Sequence, residues 1–251
     1  MQIGTVELGS IPRVIVALGE NYVEGLERAL RLKIDLIEAR LDLLPEKTPD
    51  EFKKFLDSVA DYGFYTVSTL RPVWEGGKFE GTESERLKLF ECVVSHPATG
   101  AVDVELRSEI LDDVRGLCKE KEKKLIVSYH DFKKTPENSE IEEILERARE
   151  KGADIVKVAF MGRVKNDASR VCCLLSKFDF PKIFMVMGEL GAFTRVVGFS
   201  FGSLLTYTFF GRPVAPGQIE AERLIKLLSN LYSDYRKQRE KFFPQNFLEV
   251  I

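Results

Sequence analysis

A chain of 251 residues, 44% hydrophobic and 31% charged, can bury a large core within one domain and stay in solution. Its formal charge of −3 and isoelectric point near 5.7 exclude nucleic acid as a main partner, since phosphate neutralisation needs a basic surface. No apolar run reaches bilayer length and no charged-then-apolar signal opens the chain, so a cytoplasmic protein without membrane association is expected.

Met1 to Ile11 reads as a short extension whose Gly4 and Gly9 suit a hairpin over the floor of the fold. Strand-like apolar runs follow at Val14 to Leu18, Ile34 to Arg40, Tyr65 to Leu70, Ala101 to Leu106, Leu125 to His130, Ile155 to Phe160, Ile183 to Met187 and Ser200 to Tyr207. Amphipathic helical stretches separate them, three opened by capping boxes: Thr48 with Glu51, Thr82 with Glu85, and Ser139 with Glu142. The charged runs Glu120 to Lys124 and Arg236 to Lys241 read as solvated helix faces. From Tyr232 to Ile251 the last helix is expected to continue, and its apolar Phe242, Phe243, Phe247 and Leu248 suit packing on the outer helices or a second subunit.

The strands share one pattern. In Ile34 to Arg40, Glu38 and Arg40 fall on one face; Thr69 and Arg71 do so in the next run, Asp103 and Glu105 in the fourth, Ser128 and His130 in the fifth. A doubly wound sheet buries both strand faces in apolar contacts, whereas a closed barrel has an interior able to hold convergent polar groups. Eight strand-helix units in about 250 residues match a (β/α)8 TIM barrel. Residues 1–251 are therefore read as one TIM-barrel catalytic domain with a short N-terminal hairpin-like extension.

Lys157 stands out within this pattern. Val156, Val158 and Phe160 form the bulky apolar face of its strand, which puts Lys157 on the other face with Ile155 and Ala159. Burial lowers an ammonium's pKa, so a nucleophilic amine capable of Schiff-base chemistry is expected there; a strand-end lysine that snorkels to water is the plainer alternative. His130 ends its strand on the polar face at the rim where barrel enzymes keep their chemistry, and can serve as acid and base. Glu75, beside Gly76 and Gly77, can approach closely enough to orient that imidazole. Arg40, Arg71 and Arg195 lie at or just past element boundaries and together suit an anionic, oxygen-rich small substrate. His96, before Pro97 at the expected end of a helix, reads as a surface or capping residue. With only two histidines a histidine-rich metal site is excluded, and Cys92, Cys118, Cys172 and Cys173, lacking C-x-x-C spacing, read as reduced core residues.

The ordered set Ile37-Glu38-Ala39-Arg40, Thr69-Leu70-Arg71 followed by Glu75-Gly76-Gly77, Ser128-Tyr129-His130-Asp131-Phe132, Ala153 to Ala159, Thr194-Arg195, Phe201-Gly202-Ser203 and Ala215-Pro216-Gly217-Gln218 resembles type I 3-dehydroquinate dehydratase. The resemblance runs from the second strand to the last loop. It implies conversion of 3-dehydroquinate to 3-dehydroshikimate, in the shikimate pathway, without metal or organic cofactor, and it favours a homodimer. It further implies that Lys157 forms an imine with the substrate ketone and that His130, partnered by Glu75, moves the proton and assists loss of the hydroxyl. Glu38, Arg40 and Arg71 would then contact substrate oxygens, Arg195 would pair with the carboxylate, and Gln218 would sit on a loop that closes over the ligand.

The sequence departs from the family pattern at two places where serine is frequent, here Val214 and Ala17. Another class I lysine barrel, such as a sugar-phosphate aldolase with Gly188, Gly191 and Gly202-Ser203 as a phosphate cradle, is the alternative enzyme reading. A non-catalytic anion-binding barrel is the third.

Overall fold

The computed structural model describes residues 1–242. Strands β1 (Gln2–Ile3) and β2 (Val6–Glu7) pair antiparallel around Gly4, whose φ of +56° is the left-handed region that favours glycine. The hairpin closes the floor: Ile3 and Leu8 are buried in one apolar cluster with Ile15, Leu36, Val67, Ala101, Ile126 and Ile155.

Eight parallel strands follow, β3 (Val14–Leu18), β4 (Leu36–Arg40), β5 (Thr66–Thr69), β6 (Thr99–Glu105), β7 (Lys124–Asp131), β8 (Ile155–Met161), β9 (Lys182–Met187) and β10 (Thr206–Phe209), and each pairs with its sequence neighbour from β3 through β9. The ladder also joins β10 to β3, and a short β11 (Ile219–Glu220) extends β10. At the remaining seam, between β9 and β10, a single bridge links Lys182 to Ser203 and Leu204 N donates to Lys182 O at 2.9 Å. The sheet thus curls into the expected barrel.

The helices are α1 (Tyr22–Arg31), α2 (Pro49–Asp61), α3 (Glu83–Ser95), α4 (Leu111–Glu120), α5 (Asn138–Glu150), α6 (Lys165–Leu175), the four-residue α7 (Thr194–Val197), α8 (Ala221–Leu231) and α9 (Ser233–Phe242). Their apolar stripes, including Leu26, Phe55, Phe90, Val114 and Ile141, pack on the outward strand residues Val14, Val16, Ile37, Val104, Val127 and Val158. This strand parity is the one read from the sequence, and it sends the polar residues inward.

Several expectations need correction. Residues 198–201 form a 3-10 turn ended by Gly202 at φ +89°, so the eighth strand begins at Thr206 rather than near Ser200. Thr82 and Glu85 make the reciprocal capping box and Thr48 accepts from Glu51 N, but α5 is capped at Glu137, which places Ser139 inside the helix. The last helix does not run through Tyr232, where an extended backbone separates α8 from α9. Nor is Arg236 to Lys241 wholly solvated: Arg239 is buried and donates to Leu32 O and Lys33 O at 2.8 and 2.6 Å. Phe243, Phe247 and Leu248 lie outside the described residues. Cys118 and Cys172 are buried while Cys92 and Cys173 are exposed, so only half of the cysteines belong to the core. His96 does end α3; its ring nitrogens reach Asp57 Oδ1 at 3.0 Å and Ala98 N at 3.2 Å. No described helix is long and apolar enough to cross a membrane.

Candidate active site

The inward residues of successive strands meet at the C-terminal end of the barrel. Parallel register sets Arg40 beside Thr69, Thr69 beside Asp103, Glu105 beside Ser128 and Ser128 beside Lys157. One cavity is lined by all eight residues singled out from the sequence: Glu38, Arg40, Arg71, Glu75, His130, Lys157, Arg195 and Gln218.

Lys157 is buried, and its Nζ donates to Asp103 Oδ2 at 2.8 Å and to Glu38 Oε1 at 3.3 Å. Burial alone would lower its pKa, as expected from the sequence; the Asp103 and Glu38 carboxylates outweigh that penalty and raise it above the ordinary lysine range. The sequence-based expectation is therefore reversed in sign, and Lys157 is an ammonium. Asp103 also accepts from Arg71 at 2.7 Å and from Ser128 at 2.7 Å, and despite burial the Arg71 and Lys157 cations hold its carboxyl well below the usual range. Arg71 extends the network to Glu105, which in turn pairs with the fully buried Arg86.

His130 is tied down twice by one oxygen: Glu75 Oε1 lies 2.8 Å from its backbone N and 3.1 Å from Nδ1. A carboxylate only accepts, so Nδ1 carries the proton in the neutral ring and Nε2 keeps a lone pair. Burial, with Arg71 and Lys157 nearby, pushes the imidazole down to about 4 against the opposing pull of Glu75. The ring is a neutral base at pH 7. Glu75 reaches it from a 3-10 turn, Val73–Glu75, that ends on Gly76 at φ +78°; a Cβ on the next residue, Gly77, would lie 2.0 Å from Arg71 O. The second oxygen of Glu75 accepts from Arg107 at 2.7 Å.

The arginines differ in what holds them. Arg40 makes a two-toothed pair with Asp42 at 2.9 and 2.8 Å. Arg71 is shared among Asp103, Glu105 and Ser128. Arg195 has no carboxylate partner among the described residues; it donates to the carbonyls of Pro216 at 3.0 Å and Val186 at 3.4 Å, its Nε has no partner, and burial pulls its pKa down to about 10. A buried cation left uncompensated is a seat for an anion. The Pro216 contact also docks the loop carrying Gln218, whose Oε1 accepts from Val214 N at 2.7 Å and Ala215 N at 3.1 Å.

Sequence reasoning gave no role to Asp103, Glu105 or Ser128, although the two-residue alternation had put them on the inward face. Arg107, in the loop after β6, carried no such signal, and Tyr207 was counted as an apolar strand residue. The glycines weighed as a phosphate cradle are explained by close packing: an added Cβ would lie 2.3 Å from Val186 O at Gly191, 2.8 Å from Lys182 Nζ at Gly202 and 3.1 Å from Met161 Sδ at Gly188. A wider cleft is lined by Lys47, Lys78, Glu80, Glu85, Lys88 and Leu89, none of which was singled out from the sequence as a catalytic or substrate-binding residue.

Comparison with known proteins agrees with this geometry. The family model of type I 3-dehydroquinase matches residues 14–235. A 3-dehydroquinate dehydratase from Methanocella arvoryzae is 37% identical over 216 residues, covering 86% of this chain and 94% of the relative. The crystal structure of 3-dehydroquinate dehydratase from Geobacillus kaustophilus superposes with a TM-score of 0.86 at 28% identity, over 93% of this chain and 96% of that one. A type I enzyme from Clostridium difficile, crystallised with covalently modified comenic acid, gives 0.85 at 30% identity, over 93% and 98%. With the matched region spanning every barrel strand and the inward residues of those strands gathered around one lysine, the chain belongs to the type I 3-dehydroquinase family.

Proposed function

We propose that this protein is a 3-dehydroquinate dehydratase of the shikimate pathway, a hydro-lyase that forms 3-dehydroshikimate and water through an imine on Lys157. The observation that carries the proposal is the presence, on one pocket wall, of a buried lysine and a histidine whose Nδ1 is fixed by Glu75 and whose Nε2 has no hydrogen-bond partner among the described residues. The Arg195 guanidinium receives the substrate carboxylate, and Glu38, Arg40, Arg71 and Gln218 contact its other oxygens.

The charge state sets the first step. Lys157 must give up a proton before it can attack, and the neutral His130, on the wall of the same cavity, is the base that accepts it. Nζ then adds to the ketone carbon, the ketone oxygen leaves as water, and an iminium remains. The cationic nitrogen acidifies the adjacent C–H; His130 removes that proton and the electron pair moves to nitrogen. Return of electrons from the enamine expels the β-hydroxyl, to which His130 returns the proton, so a second water leaves. Hydrolysis of the iminium consumes one water, restores the lysine and leaves a net loss of one. This scheme needs neither metal nor organic cofactor.

The family also supports a homodimer acting in the cytoplasm, with the whole chain as one catalytic domain. The test is a continuous ultraviolet assay for the conjugated enone, joined to borohydride reduction during turnover. Enone formation with a stable adduct on Lys157 is the expected result. Turnover with the adduct on another lysine would discard the mechanism, and activity only on phosphorylated ketoses would favour an aldolase.

A further inference from the structure

Most polar groups on the cavity wall already have protein partners. Glu38 serves Lys157 and Thr69, Arg40 serves Asp42, Arg71 serves Asp103 and Glu105, and Glu75 serves His130 and Arg107. Two buried side-chain atoms of the wall have no partner at full hydrogen-bond geometry among the described residues: Arg195 Nε and the Tyr207 hydroxyl, which has Lys157 Nζ as a polar neighbour. The substrate carboxylate accounts for the first. Nothing in the scheme above accounts for the second.

Tyr207 lies on β10 in register with Ile15 of β3, on the inward parity. Its ring centroid is 4.2 Å from Lys157 Nζ, so the ring face covers the nitrogen that reacts. It is also the only hydroxyl-bearing side chain among the cavity-lining residues. Burial, reinforced by the Glu38 and Asp103 carboxylates and opposed by Lys157, raises the phenol above its usual range, which keeps it a neutral O–H. Buried hydroxyls normally find a partner, and one aimed beside a nucleophile is available to a reacting oxygen.

Resting on the dehydratase reading above, we propose that Tyr207 is a catalytic residue whose O–H hydrogen-bonds the substrate oxygen on the carbon that Lys157 attacks. That oxygen sits one carbon away from Nζ, hence next to the tyrosine. As the C–N bond forms, the C=O electron pair moves onto oxygen, and the donated hydrogen bond stabilises the growing charge. The oxygen is then protonated by His130, which holds the proton taken from Lys157. It leaves as water when the second Nζ proton has also been transferred and the C–O bond breaks. Tyr207 makes no net proton transfer; its hydrogen bond follows the oxygen from ketone to carbinolamine.

The Tyr207→Phe variant isolates the oxygen and keeps the ring. Single-turnover mixing with dehydroquinate, quenched by borohydride and read by intact mass, gives the rate of adduct formation. The expected result is a fall on the order of a hundredfold in that rate and in kcat, with KM changing far less. The free variant should melt no lower than the parent, since Lys157 Nζ, the polar neighbour of the hydroxyl, keeps its bonds to Asp103 and Glu38. Adduct formation at the parental rate overturns the proposal, as does a loss confined to KM. A lower melting temperature also overturns it, because the hydroxyl would then have a structural partner. A parent enzyme that forms enone but whose variant is unimpaired sinks only the role of Tyr207, whereas a parent that forms neither enone nor adduct sinks the dehydratase reading itself.

Discussion

The lower and upper halves of the barrel interior are built from the same strand face, two residues apart, yet they are held together by opposite means. Below, Ile15, Leu36, Val67, Ala101, Ile126 and Ile155 fill the space and the hairpin residues Ile3 and Leu8 cover it. Above, on the same strands, Glu38, Asp103, Ser128 and Lys157 occupy the next inward positions. The lower layer gains from removing apolar surface from water, at about 25 cal/mol per Å². The upper layer gains little net stability from burying ions, because desolvation offsets most of the attraction. Its arrangement is explained by chemistry, and removing one member leaves its partners charged and buried.

Lys157→Ala should produce the largest change. Turnover should fall by at least about a thousandfold and the borohydride adduct should disappear, as expected for loss of a covalent nucleophile. Asp103 keeps Arg71 and Ser128 and Glu38 keeps Thr69, so the variant should fold, with a loss of no more than about 3–5 kcal/mol in chemical denaturation. Retained turnover would break the contrast between the layers at its centre.

The converse experiment is Ile155→Ala, two residues before Lys157 on the same face. It should cost about 2–5 kcal/mol of stability through a buried cavity while leaving KM close to the parental value at a temperature where the variant is folded. A loss of activity without loss of stability would mean that the lower layer positions the upper one more finely than packing requires.

How much of this was visible in the sequence follows from the range of the interactions. Alternation along a strand is local, so the inward parity of Glu38, Arg71, His130 and Lys157 was legible, and with it the barrel. The charge on Lys157 was not. Burial was anticipated, but the carboxylates that reverse its effect come from residues 119 and 54 positions away, Glu38 and Asp103. Arg107 was hidden for the same reason, since its partner Glu75 lies 32 residues earlier in another loop. The late start of the eighth strand turned on Gly202, where a left-handed residue ends a 3-10 turn that composition alone does not distinguish from a strand entry.

His130 and Glu75 sharpen the comparison, because their coupling is a property of the upper layer alone. His130→Ala should lower kcat on the order of a hundredfold, and Glu75→Gln less, since an amide still orients the ring. The double variant should fall well short of the product of the two losses; a multiplied loss would show that they act separately. The pH dependence has a definite sign. The folded ring titrates at about 4 against an ordinary 6.5, so the unfolded chain binds a proton in that window that the native state does not. Stability from this group is present above about pH 6.5 and is lost as pH falls toward 4. His130→Asn should flatten that part of a denaturation series, and an unchanged slope between pH 4 and 6.5 would mean that the ring is not buried in its neutral form.

The smallest effects separate the arginines by their partners. Arg195 lacks a carboxylate where Arg40 and Arg71 have them, and its fork can meet a substrate carboxylate through two donors that a lysine ammonium does not reproduce. Arg195→Lys should therefore raise KM about tenfold, the loss of one charge-assisted hydrogen bond, with kcat changed less. Because Arg195 also donates to Pro216 O, the same change should loosen the loop that holds Gln218. Gln218→Ala should weaken binding by only a few fold, since it removes a neutral amide contact, together with the bonds from Val214 N and Ala215 N that shape the loop. Proteolysis or hydrogen exchange across residues 212–218 should rise in both variants. If Arg195→Lys raised KM without loosening the loop, the guanidinium would act on the substrate alone, and the loop would owe its position to the bond between Gly188 N and Pro216 O.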